Sequence, residues 1–114
     1  GHEVIPIPGA SALITAVSVA GVGLNRFLFL GFLPHKKGRK KMLDEAINSK
    51  RPVVFYESPH RILKTLAYLP EEREVILCRE LTKIHETIYR GTVGEVLEKL
   101  GKSKIRGECV VLLK

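Results

Sequence analysis

Runs of apolar residues alternate along the chain with segments whose apolar residues recur at helical spacing. The apolar runs predict strands at Phe27–Leu33, Pro52–Tyr56, Glu74–Leu81, Glu86–Gly91 and Glu108–Leu113. The helical spacing predicts helices at Ala10–Ala20, Lys40–Asn48, His60–Leu69 and Thr92–Leu100. Because Thr82–His85 is short enough to make a hairpin, two strands should be antiparallel. The expected fold is a single α/β domain, with a mixed sheet of about five strands and about four helices.

The beginning of the chain leads us to expect a longer protein. Gly1–Gly9 predicts a strand that runs straight into a turn, which is an abrupt start for a domain. The helix Ala10–Ala20 is apolar on nearly all sides, so it should be buried against more than this domain. The uncharged stretch Val4–Asn25 is interrupted by Pro and Gly, and its helical part is about half a bilayer long. We therefore expect no membrane span.

The two cysteines, Cys78 and Cys109, lie in apolar runs that are predicted to be strands. They form no Cys-x-x-Cys pair and have no His at metal-ligand spacing, so we predict no metal site. Reduced, buried thiols are expected instead, and these are typical of a reducing compartment such as the cytoplasm.

Positive charge is concentrated in one segment. The net charge is +7, and subtracting the five Lys and Arg residues of His35–Lys41 leaves +2. The five are Lys36, Lys37, Arg39, Lys40 and Lys41. Such a patch is typical of contact with nucleic-acid phosphates, although a solvated charge run is the alternative. No aromatic residue interleaves the run, so a grip on the nucleic-acid backbone is expected rather than base stacking.

A first candidate site lies at the predicted start of the first helix, where Gly9, Ser11 and Ala12 occur. Small residues let a ligand approach the backbone, and the unpaired N–H groups of a helix start attract carboxylate or phosphate. An ordinary capped helix is the alternative explanation.

A second candidate is the segment Glu57–Arg61. Ser58 is a suitable N-cap and Pro59 suits the first helical position, so the helix should begin here. Glu57 then ends a strand, and His60 and Arg61 lie in the first helical turn. Ligands of open α/β sheets bind beyond the carboxyl ends of strands, which predicts a functional site. A capped helix with solvated charges is the alternative.

A third candidate is Arg79–Lys83. Alternation along a strand places Arg79 and Leu81 on one face and Glu80 on the other. Lys83 follows in the predicted hairpin. A cross-strand ion pair would explain the charges without any chemistry.

Five segments, in this order and spacing, resemble the bacterial small-subunit ribosomal RNA cytidine 2′-O-methyltransferases of the tetrapyrrole-methylase superfamily. They are Ile5–Ala12, Phe29–Pro34, Phe55–Arg61, Arg79–Lys83 and Tyr89–Thr92. The segments Glu57–Arg61 and Arg79–Lys83 are the most specific, whereas Pro8–Ala12 occurs across the superfamily. The resemblance covers essentially the whole chain.

The resemblance implies the C-terminal lobe of a two-lobed class III methyltransferase, with S-adenosylmethionine between the lobes. The N-terminal lobe is absent from this sequence, and family members are typically homodimers. The resemblance implies that five residues contact the cofactor or lie near it: Gly9, Ser11, Ala12, Leu30 and Ser58. The implied substrate is small-subunit ribosomal RNA.

The chemistry requires a 2′-hydroxyl to lose its proton as its oxygen attacks the sulfonium methyl group. Among the residues present, His60 is the candidate base, with Glu57 or Glu80 to orient it or to replace it. A base in the absent N-terminal lobe is the alternative. Arg61 and Lys83 would hold RNA phosphate. Two other functions remain open: a lobe of a tetrapyrrole methylase acting on a small molecule, and a non-catalytic RNA-binding module.

Overall fold

A computed structural model describes residues 26–79, 87–102, 105 and 107–114. In chain order, its elements are β1 (Leu28–Phe32), α1 (Arg39–Asn48), β2 (Val53–Glu57), α2 (Ile62–Tyr68), β3 (Glu74–Arg79), β4 (Thr87–Thr92), α3 (Val93–Gly101) and β5 (Cys109–Leu113). Every one of them was predicted, with boundaries that agree to within two residues. The predicted helix Ala10–Ala20 and the predicted turn Thr82–His85 lie outside the described residues.

The strands form one sheet in the order β1-β2-β5-β3-β4. β1 and β2 are parallel, whereas β5 is antiparallel to both β2 and β3, and β3 is antiparallel to β4. The predicted mixed sheet is therefore confirmed. Because β5 opposes both of its neighbours, β1, β2 and β3 all run in the same direction. Their carboxyl ends consequently lie along one edge of the sheet.

The helices described here pack on one face of the sheet, where they bury the larger hydrophobic cluster. Alternation along β2 directs Val53 and Phe55 into this cluster and Val54 to the opposite face. Leu43 of α1, Leu66 of α2 and others fill the space between helices and sheet. Full burial of one such side chain stabilises the fold by about 1.5–3 kcal/mol.

The edge strand β1 contains a bulge between Phe29 and Gly31, where the pairing with β2 shifts register. Gly31 has φ +67°, a conformation that a side chain would strain. Beyond the bulge, the Phe32 ring contacts Tyr56 with centroids 5.1 Å apart. Leu33 then turns into the core, with 3% of its surface exposed. This buried residue anchors the loop that carries the positive charge.

The N-cap predicted for α2 at Ser58 is wrong. Ser58 gives no side-chain cap, and α2 begins at Ile62. The Ser58 carbonyl instead accepts hydrogen bonds from the Arg61 and Ile62 amides, both at 3.1 Å. Pro59–Arg61 therefore forms a turn before the helix. Glu57 stabilises this turn, because its carboxylate accepts bonds from the Ser58 amide and the Arg61 side chain.

Both cysteines are buried and free, as predicted. Burial raises the pKa of Cys109 to about 12, so the thiol stays protonated and unreactive. Within the described ranges, no helix is long and apolar enough to cross a bilayer.

Candidate functional site

Three of the segments singled out in the sequence leave the same edge of the sheet. Phe32 pairs with Tyr56, so the loop after β1 starts beside the end of β2. Glu57 at the end of β2 is opposite Cys109, and Cys109 is opposite Arg79 at the end of β3. The lysine-rich loop, the turn after β2 and the start of the Arg79–Lys83 segment are thus brought together. This edge is our candidate site.

Glu57 is the most buried charged side chain at this edge, with 1% of its surface exposed. Its Oε1 accepts hydrogen bonds from the Ser58 amide at 2.9 Å and from Arg61 Nε at 3.2 Å. Its Oε2 accepts a bond from Thr65 Oγ1 at 2.7 Å and a second from the Arg39 guanidinium. We call Glu57, Arg39, Arg61 and Thr65 the Glu57 cluster. It ties α1, the turn after β2 and α2 to one carboxylate.

The Glu57 carboxylate stays ionised. Burial raises the pKa of this carboxyl group. Hydrogen bonds from Thr65, Arg39 and the Ser58 amide outweigh that burial, so the net pKa lies below the ordinary value of 4.5. A carboxylate with a lowered pKa and four donors is a weak base. Of the two roles considered for Glu57, the geometry therefore favours orienting other groups over accepting the proton.

Arg39 differs from the lysines that surround it in the sequence. Its side chain is 14% exposed, and its guanidinium bonds to Glu57, to Thr65 and, at 3.2 Å, to the Pro34 carbonyl. A side chain committed to three acceptors is a poor candidate for RNA contact. We therefore assign Arg39 a structural part in the cluster.

The other four basic residues of this segment are exposed to solvent, and we call them the lysine patch: Lys36, Lys37, Lys40 and Lys41. Lys40 and Lys41 lie in the first turn of α1, and this first turn contains no acidic residue. Positive charge at a helix N-terminus is unfavourable by a few tenths of a kcal/mol. Gly38, with φ +87°, provides the turn into this helix. A surface that keeps such charges suits an anionic partner.

The remaining predicted residues occupy different environments. His60 is exposed in the turn after β2, and Leu30 is half-buried against the core. Within the part of the chain that the structure describes, the buried Ser58 hydroxyl has no hydrogen-bond partner. A buried hydroxyl without a partner in the protein calls for an explanation, and a bound water or ligand is one. The predicted residues outside the described ranges are Gly9, Ser11, Ala12, Glu80 and Lys83.

The sequence reasoning missed two residues of the site, Thr65 and Tyr68. Thr65 lies on the same helical face as the buried Ile62 and Leu66, and a polar residue on an apolar face was a usable signal. Tyr68 lines a cleft with residues of the basic segment, which brings an aromatic ring beside the lysines. The absence of aromatic residues within the basic run therefore did not reveal this neighbour, which comes from a different helix.

The fold and the site together define an α/β protein whose strand carboxyl ends lie beside a cluster of exposed lysines and a turn ordered by the buried Glu57 carboxylate. The sequence profile of the Tetrapyrrole (Corrin/Porphyrin) Methylases matches residues 1–97. The chain belongs to this family.

The chain is similar in sequence to proteins named as ribosomal RNA methyltransferases. The chain is 43% identical over 116 residues to the "Ribosomal RNA small subunit methyltransferase I" of Thermotoga maritima, which covers 99% of this chain and 52% of the relative. The protein of the same name from Neisseria meningitidis serogroup A is 45% identical, covering 99% of the chain and 41% of the relative. The chain thus spans about half the length of these relatives, or somewhat less.

Solved structures share the fold at low sequence identity. The methyltransferase CobJ superposes with a TM-score of 0.60 at 20% identity, covering 89% of this chain and 46% of CobJ. The cobalt precorrin-4 methyltransferase CbiF gives 0.59 at 19% identity, with coverage of 90% and 48%. These likenesses concern the fold alone, and they confirm the predicted fold class.

Proposed function

We propose that this chain is the C-terminal lobe of an S-adenosylmethionine-dependent enzyme that methylates the 2′-hydroxyl of a cytidine in small-subunit ribosomal RNA. In this proposal, an N-terminal lobe completes the cofactor cleft, and the enzyme acts in the cytoplasm as a homodimer. The relatives that are 43% and 45% identical carry the name of a small-subunit ribosomal RNA methyltransferase, which supports the RNA substrate.

The observation that carries the proposal is the convergence of three segments at one sheet edge. The exposed His60 imidazole, the ordered Arg61 guanidinium and the lysine patch all lie beyond the carboxyl ends of strands that run in the same direction. Lysine and arginine side chains bind the phosphates of an RNA backbone. An imidazole is the side chain that most readily exchanges a proton near neutral pH. This grouping supports chemistry on a ribose that is held by its phosphates.

The described residues also fit the cofactor. The orphan Ser58 hydroxyl, buried just after β2, has a hydrogen bond to offer, and Leu30 of β1 offers apolar contact. Gly9, Ser11 and Ala12 complete the proposed cofactor residues. When bound, S-adenosylmethionine supplies an activated methyl group on a sulfonium.

The residues of this chain would then divide the remaining work. His60 would accept the proton of the 2′-hydroxyl, and Arg61 would hold an adjacent phosphate. Glu57 is a positioning residue in this scheme, because its carboxylate fixes Arg61 at 3.2 Å and the backbone of the same turn. Lys83 would hold phosphate, and Glu80 would orient the imidazole.

A tetrapyrrole substrate is the less favoured function. A macrocycle site does not require a patch of exposed lysines. The solved tetrapyrrole methylases are only 19% and 20% identical to this chain, whereas the ribosomal RNA enzymes are 43% and 45% identical. A purely RNA-binding module would account for the lysine patch but not for the methyltransferase name of the relatives.

The test is methyl transfer from labelled S-adenosylmethionine to small-subunit ribosomal RNA by the intact protein. His60→Ala and Arg61→Ala should each lower the single-turnover rate at least tenfold, about 1.4 kcal/mol of barrier. Lys50→Ala, at an exposed position beyond the far end of α1, should leave the rate unchanged.

Thermal melts of the same variants separate chemistry from folding. His60 is exposed, so His60→Ala should leave the melting temperature nearly unchanged. Arg61→Ala removes a contact to Glu57 and should lower it modestly. Normal rates in both variants would show that the turn is structural, and the base would have to be sought elsewhere. Methylation of a tetrapyrrole but not of RNA would overturn the proposal as a whole.

A further inference from the structure

A cleft of about 330 Å³ lies between the basic segment and the second helix. We call it the α1–α2 cleft. Its lining residues are His35, Lys36, Arg39, Lys40, Leu43, Lys64, Thr65 and Tyr68. Ligand pockets in proteins typically hold about 300–1,000 Å³, so this cleft suits one small group and not a duplex.

The cleft is strongly positive. Lys36 and Lys40 enter from the loop and from α1, and Lys64 enters from α2. All three are exposed, and none pairs with a carboxylate among the residues that the structure describes. The lining itself contains no acidic side chain. Three cations converging from the loop, α1 and α2 provide charge complementarity for a phosphate group.

Tyr68 gives the cleft an aromatic side chain that is held in position. Its hydroxyl donates a hydrogen bond to Asp44 Oδ1 at 2.6 Å, which joins α2 to α1. This hydrogen bond raises the pKa of Tyr68, so the phenol stays neutral. The side chain is nevertheless 38% exposed, which is much for a large hydrophobic residue. A fixed, accessible ring beside lysines is the arrangement that single-stranded nucleic-acid sites use for base stacking.

We propose that the α1–α2 cleft binds one unstacked nucleotide of single-stranded RNA, with its phosphate on Lys36, Lys40 and Lys64 and its base against Tyr68. The proposal rests on the function proposed above, because it takes RNA as the substrate, and it adds a subsite that lies on the helices rather than at the methyl-transfer turn. In a duplex the bases are stacked on one another, so the subsite would select unpaired regions.

The experiment measures binding of a short single-stranded cytidine-rich oligonucleotide to the intact protein by fluorescence anisotropy. Tyr68→Leu should weaken binding at least about fivefold, whereas Tyr68→Phe, which keeps the ring, should remain within about twofold. Lys64→Ala should reduce the slope of log affinity against log salt by about 0.7, and the control Lys50→Ala should not change it.

Photocrosslinking provides a measurement that does not depend on variants. The same oligonucleotide carrying 5-bromouridine should crosslink to Tyr68 in the unmodified protein, as read by mass spectrometry of the peptides. A crosslink elsewhere, or equal affinities of Tyr68→Leu and the unmodified protein, would overturn the subsite. So would a loss in Tyr68→Phe as large as that in Tyr68→Leu, because the ring would then not be the binding feature.

The two proposals fail in different ways. If RNA is bound and methylated but is insensitive to Lys64 and Tyr68, the subsite is wrong and the proposed function stands. If neither the oligonucleotide nor ribosomal RNA is bound at any salt concentration, both proposals are wrong.

Discussion

Glu57 is the residue on which the candidate site depends. Its carboxylate is buried and accepts hydrogen bonds from α1, α2 and the turn between β2 and α2. Removing one partner from a buried, hydrogen-bonded ion pair typically costs about 3–5 kcal/mol, because the other charge is left uncompensated. Arg39 and Glu57 are such a pair, with side chains 14% and 2% exposed.

Glu57 should also make stability depend on pH. Its pKa in the folded protein lies below the ordinary value of 4.5, so the folded state favours the ionised form. The resulting stabilisation is fully present above the unfolded pKa and is lost as the pH falls through the folded pKa. We expect the free energy of unfolding to exceed that of Glu57→Gln by about 3 kcal/mol at pH 7, and the difference should shrink below pH 4.5.

Urea unfolding at a series of pH values measures this difference directly. The matched control is Glu98→Gln, at a carboxylate on α3 that is 76% exposed and pairs only loosely with Lys102 at 4.0 Å. Its effect should stay within about 0.5 kcal/mol at every pH. A difference for Glu57→Gln that did not change with pH would contradict an ionised Glu57.

At the scale of elements, the N-terminal end of α1 combines one anchored arginine with two exposed lysines. Arg39 anchors the helix to the Glu57 cluster, and the adjacent Lys40 and Lys41 point their charge into solvent. Leu43 and Ala46 bury the other side of the helix in the core. The helix therefore presents the lysines from a rigid base, which suits the recognition of a phosphate backbone.

We predict that reversing Lys40 and Lys41 to Glu weakens RNA binding by the intact protein and flattens its salt dependence. Each lost phosphate contact should reduce the slope of log affinity against log salt by about 0.7–0.9, and cofactor affinity should barely change. The matched control reverses Lys50 and Arg51, exposed residues beyond the other end of α1. If both double variants lower the slope equally, only the net charge matters and the lysine patch is not a contact surface.

At the scale of the whole molecule, the two-lobe proposal assigns one side of the cofactor cleft to this chain. It spans 52% of the Thermotoga maritima relative and 41% of the Neisseria meningitidis relative. The described residues nevertheless form a continuous sheet with a large hydrophobic core on one face. We therefore expect this chain to fold on its own. The proposed binding of cofactor between two lobes would require the second lobe.

We therefore expect the 114 residues alone to fold but to transfer no methyl group from labelled S-adenosylmethionine to ribosomal RNA. Circular dichroism and a cooperative thermal transition would establish folding, and filter binding of labelled RNA would measure transfer. The positive control joins the chain to an N-terminal lobe of a relative. Methyl transfer to ribosomal RNA by the 114 residues alone would contradict the two-lobe proposal.

The order and type of the described elements could be read from the sequence. Hydrophobic periodicity is a local property, since a residue's burial is repeated every second position in a strand and every three or four in a helix. The apolar runs therefore located every described strand, and the Glu57–Arg61 segment was correctly placed after a strand. The prediction of Ser58 as the N-cap of α2 was wrong because the Glu57 carboxylate, not the serine hydroxyl, organises that turn.

The partners of those residues were decided by tertiary structure. Arg39 lies 18 residues from Glu57 and 26 from Thr65, and it meets both only because β1 and β2 are parallel neighbours. Tyr68 joins the lysines because α2 packs beside α1, which no spacing in the sequence encodes. Side-chain contacts over such separations depend on the strand order and on which face the helices cover, and a local pattern carries neither.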